Sequence, residues 1–265
     1  MKKIQKKGID YSSIFSNNRY CLFLDIDGTL CDFQLDPNDC FIPPKTLNII
    51  KKILSYCVPI IAVTGRDINS SRKLFNNIEL PIVALHGLEI YLNKKERLST
   101  SNNFSEISHI FNMLSKACIP YPELIIENKK SSIALHYRKA PELEYIAKKI
   151  ISDSHKLFPN LKFLQGKFVF ELIPPEANKG VAIKNFLSYL NKTEMHTPIF
   201  IGDDVTDEDG FYVVNQVTDS ISIKVGQGLT HAKFQLESIN HVHDFLELFL
   251  EHIQRNKKLS NAKTT

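Results

Sequence analysis

The sequence predicts an α/β fold in which a second, smaller α+β domain is inserted into a core built on a parallel sheet. Two observations predict this fold class. Short apolar runs rich in β-branched and aromatic residues alternate with longer stretches of helical periodicity, which is the pattern of β-α-β units. A segment of different character then interrupts this alternation in the middle of the chain.

Four apolar runs are the predicted core strands, and each ends at polar residues or glycine. They are residues 20–24, 58–63, 81–85 and 198–201. In open α/β sheets the ligand crevice lies beyond the carboxyl ends of the strands, so we expect a site at these endings. Apolar residues at helical spacing predict helices around residues 47–54 and 183–190.

The predicted inserted domain begins at a polar stretch and ends at Pro174-Pro175, since consecutive prolines neither continue a strand nor enter the middle of a helix. The predicted bounds are 1–99 and 175–265 for the core and 100–174 for the insertion. Within the insertion, the pattern predicts strands over 132–138 and 163–173 and a helix over 142–158.

Composition excludes several classes of protein. With 43% hydrophobic and 23% charged residues, the chain is an ordinary soluble globular protein. The net charge of +4 is small and its excess lies largely near the two termini, so no nucleic-acid partner is predicted. No apolar run reaches the roughly 18 residues of a membrane span. Five cysteines without a CxxC pair indicate a reducing, cytoplasmic location.

Two aspartates follow the first predicted strand. Asp25 and Asp27 are two residues apart and therefore project to the same side of the strand end. Such close carboxylates repel one another unless a cation neutralises them, and Mg²⁺ is a usual partner. One alternative is an ordinary Asp-Gly turn. An EF-hand loop is excluded, because it needs glycine at its sixth position and Gly28 stands at the fourth.

A second acidic segment, residues 202–209, follows the last predicted strand. Asp203 is nearest the strand end and is the predicted third metal carboxylate. Asp204 and Asp207 are predicted to support it, as further ligands or as acceptors behind the ligands. The acids that follow suit the first turn of a helix capped by Thr206.

Lys179 and Thr64 complete the predicted site. Lys179 opens a predicted helix, where the helix dipole disfavours a cation unless an anion lies nearby. The alternative for Lys179 is a solvated surface lysine. Thr64 offers a hydroxyl and adjacent amides to a phosphate oxygen. Together with the paired aspartates, these residues suit phosphoryl transfer through a carboxylate nucleophile.

The order of four motifs resembles the haloacid dehalogenase superfamily of phosphatases. They are DIDGT (25–29), VTGR (63–66), Lys179 and GDDVTDE (202–208). Over residues 20 to 250, the chain is similar more narrowly to the trehalose-6-phosphate phosphatase family. This resemblance rests on HGLE (86–89), ALHYR (134–138), QGKFVFEL (165–172), NKG (178–180) and GDDVTDEDGF (202–211).

The resemblance implies a Rossmann-like core with a mobile cap, and Mg²⁺-dependent hydrolysis of trehalose 6-phosphate through an aspartyl-phosphate. Asp25 would be the nucleophile and Asp27 the general acid and base. Thr64 and Lys179 would steady the phosphoryl oxygens. Asp25, the backbone carbonyl of Asp27, and Asp203 would hold Mg²⁺.

Sugar recognition would fall to the cap. Strand alternation predicts that Lys167, Val169 and Glu171 share one face while Phe168 and Phe170 pack inward. The predicted substrate-binding residues are Gly65, Arg66, His86, Glu89, Arg138, Gln165, Lys167 and Glu171. The alternatives are a solvated, mutually paired strand face and a structural role for His86.

The predicted partner is a small sugar phosphate, bound by a monomer, and functional coupling to a trehalose-6-phosphate synthase is left open. Other enzymes that fit are a phosphatase for sucrose 6-phosphate or mannosyl-phosphoglycerate and a phosphosugar mutase. A phosphosugar-binding regulator without turnover is the alternative of another class. The presence of both Asp25 and Asp27 argues against it, since a sensor needs no nucleophile.

Overall fold

The computed structural model describes residues 2–3, 14–16, 19–36, 39–93, 96–99 and 105–262. The strands are β1 (Lys2–Lys3), β2 (Tyr20–Leu24), β3 (Ile60–Val63), β4 (Ile82–Ala84), β5 (Glu89–Asn93), β6 (Glu96–Ser99), β7 (Ile125–Asn128), β8 (Ile133–His136), β9 (Lys162–Gly166), β10 (Val169–Ile173), β11 (Thr197–Gly202), β12 (Ile221–Val225) and β13 (Phe234–Leu236). The helices are α1 (Pro44–Ser55), α2 (Ile68–Leu74), α3 (Ser105–Ala117), α4 (Glu144–Leu157), α5 (Lys179–Leu190), α6 (Glu208–Val214) and α7 (Ile239–Ala262).

Nine strands form one sheet in the order β1-β13-β12-β11-β2-β3-β4-β5-β6. All neighbours from β1 to β4 are parallel, and β5 and β6 are added antiparallel at one edge. This arrangement confirms the predicted α/β class. The chain leaves β2 toward β3 on one side and returns to β11 on the other. The carboxyl ends of β2, β3 and β11 therefore meet where the strand order switches.

Both faces of the central strands are covered by helices. Leu22 and Leu24 of β2 belong to the apolar cluster that includes residues of α1 and α7. Cys21 and Phe23 point the other way, into the cluster that includes residues of α5 and α6. Burial on both faces explains why these strands are continuous apolar runs in the sequence.

The helix α7 is the longest, with 24 residues, and it packs beside α1. Its side chains Phe245 and Phe249 are buried against the sheet. Across the described ranges, no helix is both long enough and apolar enough to cross a membrane.

The four predicted core strands are present with adjusted ends. The run 58–63 is a strand only from Ile60, the run 81–85 is shortened to Ile82–Ala84, and the run 198–201 is extended to Thr197–Gly202. The two predicted core helices are α1 and α5. The strands β5, β6, β12 and β13 are additions that the sequence pattern does not predict.

A second, antiparallel sheet has the order β7-β8-β10-β9 and packs against α3 and α4. Its elements span residues 105–173, inside the predicted insertion, while the bounds 1–99, 100–174 and 175–265 stay predictions. The predicted helix over 142–158 is α4, and the predicted strand over 132–138 is β8.

The segment 163–173 is a hairpin, so its prediction as one strand is wrong. β9 and β10 are joined by a turn at Lys167-Phe168, and Phe168 has the left-handed φ of 62°. Phe168 is therefore 37% exposed instead of packed inward, whereas Phe170 is fully buried. The sequence hides this turn because a bulky aromatic residue occupies a position usually given to glycine or asparagine.

The two phenylalanines are expected to differ in their effect on stability. Phe170→Ala should lower the free energy of unfolding by about 3–5 kcal/mol, because a large buried ring is lost. That ring stacks on Tyr137 and Phe163, with centroids 5.1 and 5.7 Å away. The control Phe168→Ala should lower the free energy of unfolding by about 1 kcal/mol or less. Urea denaturation followed by circular dichroism measures both, and equal losses would contradict this assignment of the core.

Candidate active site

Asp25 lies immediately after β2, at the switch in strand order. Its backbone N–H donates to the carbonyl of Ile201 in β11 (3.0 Å), which holds the end of β2 beside that strand. The side chain is buried. Thr29 Oγ1 donates to Asp25 Oδ2 (3.2 Å), and Lys179 Nζ donates to Asp25 Oδ1 (2.8 Å). Each carboxylate oxygen therefore has its own donor, and the orientation of the group is set.

Lys179 is the first residue of α5, whose N-cap is Asn178. It is only 3% exposed, so the alternative of a solvated surface lysine is wrong. Its Nζ bridges Asp25 Oδ1 and Asp207 Oδ1, each at 2.8 Å. Burial alone would lower the pKa of Lys179, but Asp207 and Asp25 hold it above its ordinary value. The site thus contains a buried, permanent positive charge.

Asp207 organises the loop after β11. Its Oδ2 accepts the backbone N–H groups of Asp203 and Asp204, each at 3.0 Å. Asp204 in turn caps the short 3₁₀ turn over residues 205–207, accepting the N–H of Val205 at 2.8 Å. The prediction of Thr206 as the cap is therefore wrong, because this 3₁₀ turn precedes α6 and moves the cap earlier in the chain.

Asp203 follows β11 and points toward Asp25. Although Asp203 Oδ1 is buried, it has no hydrogen-bond partner among the described residues. Gly28 makes room for this carboxylate: its φ is 80°, and a Cβ there would lie 2.1 Å from Asp203 Oδ2. Burial, followed by the charges of Asp25 and Asp207, raises the pKa of Asp203 to about 9. Burial also raises the pKa of Asp25 to about 7, against the lowering effect of Lys179.

These acidic groups fit a hard divalent cation. Oxygens of Asp25, Asp203 and Asp207 lie within 4.8 Å of one another. The donors are all carboxylate oxygens, the type that Mg²⁺ prefers, and one of them, Asp203 Oδ1, is buried without a hydrogen-bond partner in the described part of the chain. Asp207 already uses both oxygens, on Lys179 and on the backbone. Asp25 likewise uses both oxygens, on Thr29 and on Lys179. Asp203 is therefore the best placed of the three to bind a metal.

Asp27 forms a bidentate ion pair with Arg66. Arg66 Nε donates to Asp27 Oδ2 at 2.6 Å, and a terminal guanidinium nitrogen donates to Oδ1 at 2.7 Å. Burial alone would raise the pKa of Asp27, but Arg66 holds it below its usual range. Thr64 lies just after β3, and its Oγ1 accepts the N–H of Arg66 at 3.1 Å. The sequence predicts Arg66 as a substrate ligand but not this ion pair.

Glu171 of β10 is the centre of a second buried network. Its Oε1 accepts hydrogen bonds from Ser132 Oγ (2.9 Å) and Lys129 Nζ (3.0 Å), and its Oε2 lies 3.4 Å from His86 Nε2. Burial alone would raise the pKa of Glu171, but Lys129 and His86 hold it far below its usual range. Lys129 also donates to the carbonyl of Gly65 (3.2 Å), and it thereby connects the second sheet to the loop after β3.

Gly65 and His86 lie against one another at the edge of this network. A Cβ on Gly65 would lie 2.6 Å from the imidazole ring, so only glycine leaves the ring enough space. His86 follows β4 with a left-handed φ of 55°. Together these features allow the imidazole to reach Glu171.

Phe33 connects the loop after β2 to the second sheet. The Arg138 guanidinium and Lys167 Nζ lie 4.9 and 4.8 Å from its ring centroid. Arg138 also donates from Nη1 to the backbone carbonyl of Gln34. Both cations come from the predicted insertion, so the sheets are joined here by cation–π contacts and a hydrogen bond.

A cavity of about 120 Å³ lies between the two sheets and collects most of the predicted residues. Its lining consists of Asp25, Asp27, Phe33, Thr64, Gly65, Arg66, His86, Glu127, Lys129, His136, Arg138, Lys167, Val169, Glu171, Lys179, Asp203, Asp204 and Thr206. Val169 and Glu171 of β10 share the face toward this cavity, as predicted, and Lys167 reaches the cavity from the turn before β10.

Glu89 and Gln165 lie outside this cavity, in contrast to their prediction as substrate ligands. Gln165 pairs with Phe170 across β9 and β10, and residues directly opposite one another share a face. Gln165 therefore projects away from the face that carries Glu171. Glu89 begins β5 and pairs with Ala84 of β4.

Lys129, Glu127 and Phe33 are cavity residues that sequence reasoning does not single out. Glu127 Oε2 lies 2.9 Å from His136 Nε2. Lys129 follows β7 next to another lysine, a pattern typical of a solvated turn. The only signal for it is indirect, since a buried acid such as Glu171 requires a cationic partner from elsewhere.

Comparison with known proteins agrees with this geometry. Residues 23–240 match the family model described as trehalose-phosphatase. The chain is 28% identical over 252 residues to the trehalose-6-phosphate phosphatase of Escherichia coli (strain K12), covering 91% of this chain and 90% of that protein. It is 32% identical over 225 residues to a probable trehalose-phosphate phosphatase of Sinorhizobium fredii, covering 83% of each.

A solved structure shares the fold. The C-terminal domain of the C. albicans trehalose-6-phosphate phosphatase superposes with a TM-score of 0.85 at 21% identity, covering 95% of this chain and 98% of that one. The match of sequence over most of the chain confirms the resemblance drawn from the motifs. The chain therefore belongs to the trehalose-phosphatase family.

Proposed function

We propose that this chain hydrolyses trehalose 6-phosphate to trehalose and phosphate, with Mg²⁺ and through a phosphorylated Asp25. The observation that carries the proposal is the buried Asp25 carboxylate, oriented by Thr29 and Lys179 at the floor of a polar cavity. The names of the related proteins support the choice of sugar phosphate.

The first half of the reaction transfers the phosphoryl group. An Asp25 oxygen attacks phosphorus, the bond from phosphorus to the sugar oxygen breaks, and Asp27 gives its proton to that oxygen. In the second half, the Asp27 carboxylate takes a proton from water. The resulting hydroxide attacks phosphorus, which releases phosphate and restores the Asp25 carboxylate. Lys179 and Thr64 steady the phosphoryl oxygens in both halves.

The ion pair with Arg66 bears on the protonation of Asp27. While Arg66 donates to both oxygens, Asp27 is held ionised and has no proton to give. A phosphate group is a competing bidentate partner for guanidinium. We infer that substrate draws Arg66 from Asp27 to the phosphate, which lets Asp27 take up the proton needed for the leaving oxygen.

The acidic centre would hold the metal through Asp25, Asp203 and the backbone carbonyl of Asp27, with Asp204 and Asp207 supporting the loop. When bound there, Mg²⁺ offsets the negative charge shared by phosphate and carboxylates. Burial is the largest cause of the raised pKa values of Asp25 and Asp203, and neighbouring carboxylates add to it, so a cation bound here would favour their ionised forms.

Residues 100–174 would act as the substrate-recognition cap over the core of 1–99 and 175–265. Ligand pockets commonly measure roughly 300–1,000 Å³, so a cavity of about 120 Å³ is too small for a phosphorylated disaccharide. We infer that the cap moves to admit substrate. Lys167, Arg138 and Glu171 would then meet the sugar. A cytoplasmic location and a monomeric state stay predictions from the sequence, and coupling to a synthase stays open.

Substrate choice and metal dependence are tested together by phosphate release. Trehalose 6-phosphate should be hydrolysed at least about tenfold faster than sucrose 6-phosphate or mannosyl-phosphoglycerate. A site built to hydrogen-bond the hydroxyls of one sugar leaves its own polar groups unpaired when another sugar binds. Excess EDTA should abolish release, and Mg²⁺ should restore it. Equal rates on all three substrates, or full activity in EDTA, would argue against the proposal.

The nucleophile is tested with Asp25→Asn, which should abolish turnover because the amide cannot form the phosphorylated intermediate. The matched control is Asp32→Asn, an exposed aspartate in the same loop that should keep wild-type activity. Residual activity of Asp25→Asn within about tenfold of wild type, only about 1.4 kcal/mol in barrier, would mean that the nucleophile is misassigned.

The cap is tested with Glu171→Gln, which keeps the size of the side chain and can still accept from Lys129 and Ser132. We expect kcat/KM for trehalose 6-phosphate to fall by about 10- to 100-fold, with little change for p-nitrophenyl phosphate, which has no sugar. Glu123→Gln, at an exposed position of the same predicted domain, is the control. Equal losses on both substrates would remove Glu171 from sugar recognition.

A further inference from the structure

Cys31 and Cys40 form a pair of thiols beside Asp27. The two sulfurs and a carboxylate oxygen of Asp27 all lie within 4.8 Å of one another. Cys31 Sγ is 3.9 Å from Asp27 Oδ1 and 3.5 Å from the carbonyl of Ile26. The proposed phosphatase chemistry uses neither thiol.

The two thiols differ in their access to solvent. Cys31 is 0% exposed, whereas Cys40 is 6% exposed and lines a surface groove together with Phe41, Leu47 and Arg66. A small oxidant that enters this groove therefore meets Cys40 first. Cys31 is then positioned behind it as the second thiol.

A metal held by both thiols and Asp27 is the competing use of this cluster. Both oxygens of Asp27 are already engaged by Arg66, at 2.6 and 2.7 Å. The guanidinium charge also repels a second cation at this position. The geometry therefore favours a covalent bond between the sulfurs over a metal ion.

We propose that Cys31 and Cys40 are an oxidisable pair whose disulfide slows the phosphatase. With hydrogen peroxide as the oxidant, the Cys40 sulfur takes one oxygen atom, the O–O bond breaks and water leaves. The Cys31 sulfur then displaces that oxygen, so that the S–S bond forms, the S–O bond breaks and a second water leaves. Two thiols and one peroxide give one disulfide and two waters, and the sulfurs close to about 2.05 Å.

The disulfide would act on the active site in two ways. It removes the Cys31 thiol hydrogen from its contact with Asp27 Oδ1. It also draws together the ends of the segment 31–40, which carries Phe33 and its contacts with the second sheet. The effect on turnover rests on the proposed function, but formation of the disulfide does not.

The experiment uses the full chain with Cys57→Ser, which removes the exposed thiol. After treatment with hydrogen peroxide, peptide mass mapping should find Cys31 linked to Cys40, with the loss of two hydrogen atoms. The rate of trehalose 6-phosphate hydrolysis should fall on the order of tenfold, because the disulfide disturbs the contacts of Asp27, the proposed general acid. Dithiothreitol should reverse both changes.

Two variants in the same background are the controls. Cys40→Ser should keep its basal activity and resist peroxide, while Cys118→Ser should respond as the parent does. Thiols that stay free after peroxide, a linked pair with unchanged turnover, or equal inactivation of Cys40→Ser would each overturn the proposal. An untreated parent that releases no phosphate would instead contradict the proposed function, since the linked peptide is detected without any activity.

Discussion

The ion pair of Lys179 with Asp25 and Asp207 is the interaction on which the active site depends. Charges inside a protein persist only where they are paired, because leaving water costs several kcal/mol per ion. Lys179 lies 154 residues after Asp25 in the chain, and Asp207 belongs to a third segment, the loop after β11. The acidic centre is therefore neutralised only when β2, α5 and the loop after β11 have come together. The site is therefore complete only in the folded core.

The sequence predicts those features whose physical cause is local. A strand buried on both faces must be a continuous apolar run, and polar residues that follow it must lie at the edge of the sheet. This argument predicts Asp25, Asp27, Thr64 and Asp203 as site residues. The prediction of Lys179 rests on a different cause, because its place at a helix start implies an anion but does not reveal which carboxylates supply it.

Features that depend on partners from distant segments are not predictable in this way. The pairing of Asp27 with Arg66 joins two loops, and Lys129 meets Glu171 only after two strands of the second sheet have aligned. The misplacement of Gln165 has a similar origin. A phenylalanine at the left-handed position of the turn conceals the hairpin. A turn that is not predicted reverses the chain and changes which face a residue occupies.

The backbone of Gly28 lies so close to the Asp203 side chain that it limits which substitutions this protein can accept. A side chain at position 28 would overlap the Asp203 carboxylate, so this position of the acidic centre must stay glycine. The opposite side of the cavity includes Lys167 and Arg138 of the second sheet, which are exposed and half-buried, so their replacement should cost less than a change to the buried Lys129–Glu171 pair. Laboratory evolution of new sugar preferences should therefore accumulate its substitutions on the second sheet and leave the acidic centre unchanged.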